Sequence, residues 1–144
     1  MSGPLDHARM LLRKAANDLV AADATLPAGA AFDTVCFHAQ QAVEKSLKAL
    51  LAVHDVCYPW THDLVELLQV VTPHRPAVRE FAAAIEDLTT YAVTVRHDEA
   101  VDPTPSDARA AVNVARQVHC LAESLVAGQS VASPPPSAGD VPPG

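Results

Sequence analysis

Several things are scarce in this chain. Of 144 residues only five are glycine, and aromatic residues make up 4%. The glycines are scattered, which excludes a Gly-rich phosphate loop. The three cysteines, Cys36, Cys57 and Cys120, form no C-x-x-C pair, so neither a zinc knuckle nor a thioredoxin-like site is expected. Reduced thiols are expected instead, with Cys36 and Cys120 as small core residues. Positive charge is also short: 10 Lys and Arg stand against 17 Asp and Glu, a net charge of -7. That balance argues against DNA and against broad, non-specific nucleic-acid binding. No apolar run approaches the ~18 residues of a membrane span. "MSGPLDHARMLLRKAAND" is broken by Pro4 and by charges, so no signal-peptide core is read there and a cytoplasmic setting is expected. Asn-Gly and Asp-Gly pairs are missing, as are alternating β-branched runs, so no strand is predicted.

Helical periodicity is abundant. Hydrophobic residues are 49% of the chain and charged residues 19%, enough to build one buried core. Leu5, Ala8, Leu12, Ala15, Leu19 and Ala22 recur at steps of three and four, one face of a first helix. Pro4 suits its first position. "TLPAGA" interrupts the pattern with Pro27 and Gly29. A second helix is predicted over about residues 32 to 54, ended by "CYPWTHDL". A short third helix covers about residues 62 to 70, with Thr61 as its cap and Asp63 in its first turn. Val78, Phe81, Ile85, Leu88 and Ala92 mark a fourth helix. Thr104, Pro105 and Asp107 form a good start for a fifth, which carries Ala108, Val112, Ala115, Val118, Ala122 and Leu125. The fold class read from this pattern is all-α, an up-and-down antiparallel bundle of four to five helices. Residues 1–127 form the bundle, and residues 128–144, with five prolines and almost no large apolar side chains, form a disordered tail.

The second helix carries the most information. At about 100° per residue, Val35, Cys36, Ala39, Ala42, Val43, Ser46, Leu47, Ala49 and Leu50 share one broad arc. Gln40, Glu44, Lys48, Gln41, Lys45 and His38 fill the opposite arc, with Glu44 and Lys48 in a favourable i,i+4 orientation. Phe37 falls inside the polar arc, between Glu44 and Lys48. A Phe flanked by amides and ammonium groups points to a covering partner, and a symmetric self-contact is the simplest one.

The stretch "FHAQQAVEKSLKALL", then "THDL", then the Tyr and Arg of "YAVTVR", then a final Ala-rich helix, resembles the HEPN domain family over about residues 5 to 127. The resemblance implies a helical bundle that forms a homodimer, with a cleft at or near the interface suited to a nucleotide or RNA. It implies a separate minimal nucleotidyltransferase as protein partner, in a toxin–antitoxin-like module. It implies no cofactor. Gln41, Lys45, Lys48, His62 and Arg96 are the ligand-binding candidates, and Phe37 the dimer-interface candidate.

Some relatives are metal-independent ribonucleases that share an Arg followed, four to six residues later, by a His. That pairing makes chemical sense, because His moves protons while Arg stabilises the phosphorane. The spacing is absent here: Arg96 is followed directly by His97, and Arg116 precedes His119 by only three. Arg96 is the position that matches the family's fourth-helix Arg, as an anion contact. A divergent ribonuclease built on Arg96 and His97 is the alternative reading. His97, Asp98 and Glu99 are of metal-ligand type but lack an i,i+4 His pair, so no metal is expected.

Overall fold

The computed structural model describes residues 3–97 and 102–132, with side chains for 3–89 and 102–129. Among the described residues there are five α-helices, α1 (Pro4–Thr25), α2 (Phe32–Val53), α3 (Leu64–Val71), α4 (Ala82–His97) and α5 (Pro105–Ala132). Short 3-10 turns occupy Leu26–Ala28 and Pro76–Phe81, and no strand occurs among the described residues. The all-α bundle read from the periodicity is what the chain forms.

Helix boundaries follow local chemistry. Pro4 opens α1, where a missing N–H costs nothing. Gly29 takes a left-handed φ of 72° and ends the Leu26–Ala28 turn, a conformation open to glycine without a Cβ clash. At α5 the Thr104 and Asp107 pair closes reciprocally. The Asp107 N–H donates to Thr104 Oγ1 at 3.0 Å, and the Thr104 N–H donates to Asp107 Oδ2 at 3.0 Å. α3 begins two residues later than predicted. Its cap is Asp63, which accepts from the N–H groups of Val65 (2.9 Å) and Glu66 (3.4 Å), while Thr61 accepts from the Asp63 N–H. α5 continues past Gly128 to Ala132, since Gln129 in its last turns accepts from the Arg75 guanidinium at 2.9 Å.

α2 is the central helix and packs on α1, α5, α3 and α4. Fourteen of its residues are buried, including Leu47, Leu50 and Leu51. The opposing faces come from Ala8, Leu12, Ala15, Leu19 and Ala22 of α1 and from Ala108, Val112, Ala115, Val118 and Ala122 of α5. These are the positions the three-and-four spacing selects; Leu5 and Leu125 sit at the edge, half-buried. The many alanines let α1, α2 and α5 approach closely, and the leucines and valines fill the space between. Cys36 is in this core, but Cys120 is exposed, contrary to the expectation drawn from composition.

Candidate functional site

The polar arc of α2 is not a free solvated face. Gln40 and Glu44 are buried, Glu44 to 3% exposure, and Gln41, Lys45, Lys48 and His38 are half-buried. The central place of α2 explains this. α1 flanks the arc on one side, and the segment between α2 and α3 crosses it on the other.

Two buried carboxylates organise what faces outward. On α1, Asp18 accepts from Lys45 Nζ and, at 2.9 Å, from His38 Nδ1. On α2, Glu44 accepts from Lys48 Nζ at 2.9 Å and from His62 Nδ1 at 3.1 Å. A carboxylate can only accept, so each imidazole carries its proton on Nδ1 and leaves Nε2 free. The His62 side chain is 75% exposed while its partner Glu44 is 5% exposed, so the imidazole is held from below and open above. Lys48 also lies 5.4 Å from the centroid of the Tyr58 ring, and the Tyr58 hydroxyl is hydrogen-bonded to His7 Nε2 at 3.0 Å. A continuous polar chain thus runs His7, Tyr58, Lys48, Glu44, His62.

The expected site residues divide as follows. Lys48 and His62 converge on Glu44, whereas Lys45 turns to Asp18. Gln41 stands one turn from Lys45 and two turns from Lys48. Phe37 keeps 51% of its surface exposed, and its ring meets the His38 ring edge-on at 5.5 Å. The backbones of Arg96 and His97 lie in α4, but their side chains, and all of Asp98 and Glu99, fall outside the described residues. Arg116 and His119 are engaged apart from one another: Arg116 forks onto Asp23 at 2.7 and 3.2 Å, and His119 Nε2 donates to the Leu12 carbonyl at 3.0 Å.

The stripe around Lys45 and Lys48 is electrically balanced. Two ammonium groups face two carboxylates. Each ammonium still has donors to offer, because one carboxylate contact leaves two of its three N–H bonds free. A groove of about 600 Å³ opens nearby, lined by Gly3, Pro4, His7, Ala52, Asp55 and Tyr58 among others. None of Gln41, Lys45, Lys48 or His62 lines it.

Sequence reasoning missed Asp18, and the signal was present. Asp18 falls beside Leu19 on the apolar face of α1, between Ala15 and Ala22, and an acid at an inward register needs a partner on the facing helix. Tyr58 and His7 gave no comparable signal.

A short-looped antiparallel bundle with a long central helix and a carboxylate-anchored His–Lys stripe along it defines an all-helical, single-core domain. The HEPN domain family model matches residues 8–125, and the chain belongs to that family. No curated protein and no solved structure matches it significantly.

Proposed function

We propose that this chain is a HEPN accessory module that binds rather than cleaves. Two copies pair across the outward stripe of α2, with Phe37 at the contact, and the stripe holds a nucleotide or a short RNA element. A separate minimal nucleotidyltransferase acts with it, in a toxin–antitoxin-like arrangement in the cytoplasm. The observation that carries this reading is the outward stripe itself. Phe37 remains half-exposed on the same face of α2 as Gln41, Lys45 and Lys48, and the polar ends of Lys45, Lys48 and His62 are held by Asp18 and Glu44. Side chains anchored by a buried partner lose little further freedom when a ligand arrives, which favours binding. Free Nε2 atoms on His38 and His62 and the spare N–H bonds of the lysines suit a discrete ligand carrying both phosphate and base edges. The net charge of -7 disfavours a long polyanion track.

Calorimetric titration with ATP, GTP and short RNA tests this. One of the three gives saturable heat with the unsubstituted chain. The Lys45→Gln variant, which keeps a donor for Asp18 but removes the charge, weakens that binding about tenfold, roughly the loss of one charge-assisted contact. No saturable heat with any of them defeats the reading.

A further inference from the structure

Trp60 is the only tryptophan in the chain, and it is fully exposed. Its backbone is nonetheless fixed. The Thr61 N–H donates to the Pro59 carbonyl at 2.9 Å, which closes a three-residue turn with Trp60 at its apex. Tyr58 on one side is tied to His7 and lies under Lys48, and His62 on the other side is tied to Glu44. The two flanking side chains therefore hold onto the bundle while the indole stands clear of it. An indole presented on a pre-fixed turn is a large apolar surface that needs no further ordering of the backbone to be covered.

The surroundings narrow what covers it. Asp55, Asp63 and Glu66 are exposed carboxylates close to Trp60 in sequence, a setting that disfavours a polyanion. Proline-rich segments ask for an exposed aromatic ring and little charge, and they come with the extended polyproline II conformation already favoured. Residues 133–144 of this chain read "SPPPSAGDVPPG", with five prolines and a single charged side chain, Asp140. The described structure ends close to where such a segment is needed. Gln129 is bound by Arg75 at 2.9 Å, and Arg75 Nε donates to His54 Nε2 at 3.1 Å, so the last turns of α5 sit beside the C-terminal end of α2. Trp60 lies six residues beyond His54, a path of at most ~20 Å. Twelve residues past Ala132 span ~37 Å as polyproline II.

We propose that residues 133–144 dock on Trp60 of the same chain, with proline rings stacked against the indole. The inference stands apart from the binding role of the α2 stripe and fails or survives separately.

Because Trp60 is the sole tryptophan, its fluorescence reports this contact alone. The measurement compares the full chain with a variant in which Pro134, Pro135, Pro136, Pro142 and Pro143 are all changed to serine. These positions follow Ala132 and lie outside the described helices, so no side chain of the described core is changed. In the unsubstituted chain, acrylamide quenches Trp60 about twofold less efficiently than in the variant, as for a ring covered on one face. The emission maximum is also shifted to shorter wavelength, and both effects persist on tenfold dilution. Equal quenching in the two chains overturns the proposal. Protection that disappears on dilution assigns the covering surface to a second copy, which also overturns it.

Discussion

At the scale of single residues, Glu44 decides how the stripe is built. It is almost completely buried, and its carboxylate oxygens are met by Lys48 and His62 at 2.9 and 3.1 Å. Removing one partner of such a pair is costlier than replacing both, because the survivor is left desolvated and unpaired. Glu44→Ala is expected to lower stability by about 2 kcal/mol in urea unfolding, less than for a wholly buried pair since Lys48 keeps some contact with water. The double replacement Glu44→Leu with Lys48→Met recovers most of that loss. Cys36 provides a second residue-scale prediction. Burial, and after it the carboxylates of Asp107 and Asp33, push its thiol up to about 11. The reactive species is the thiolate. A thiol-reactive chromophore at pH 8 is therefore expected to label Cys57 and Cys120, which are exposed, and to reach Cys36 only on unfolding. Three fast-reacting thiols in the native protein contradict the burial of Cys36.

At the scale of elements, what was legible in the sequence is what depends on neighbours along the chain. The Thr104–Asp107 capping box, Pro4 at the head of α1 and the apolar faces of α1 and α5 are set by residues within a turn or two, and each is found where the spacing puts it. The start of α3 was displaced because Thr61 and Asp63 both have capping side chains, and only the tertiary anchor of His62 on Glu44 fixes which one caps. The burial of Gln40 and Glu44 was illegible for a related reason. A helical wheel divides a helix into two sides, whereas α2 is enclosed by four other helices.

The junction of α2, the α3–α4 connection and α5 carries a pH-dependent prediction. Arg75 Nε donates to His54 Nε2, and the His54 and His74 rings stack at 5.7 Å. Burial first, then Arg75 and His74, lowers the pKa of His54 below its ordinary 6.5. The unfolded chain then binds a proton near pH 6.5 that the folded chain resists, so stability is complete above that pH and declines as pH falls toward the lowered value. The unfolding midpoint in urea should fall between pH 7 and pH 5.5, and His54→Gln should flatten that slope. An unchanged slope in the variant would place the pH dependence in other groups.

At the scale of the whole molecule, the acidic surface and the balanced stripe act together. A chain of net charge -7 is poorly suited to sliding along nucleic acid, and the α2 stripe adds no excess of positive charge to offset it. What the stripe offers is a half-exposed Phe37 within a frame of anchored polar groups, the composition of a small self-complementary contact. Among the described residues no helix is long and apolar enough to cross a membrane, and no three metal-ligating side chains gather at one place. The account therefore depends on pairing through α2. Sedimentation equilibrium of the unsubstituted chain and of Phe37→Glu tests it most directly. The account predicts twice the 15.2 kDa chain mass for the first and a monomer of unchanged helical content for the second. A monomeric unsubstituted chain, or a dimer that Phe37→Glu leaves intact, contradicts it.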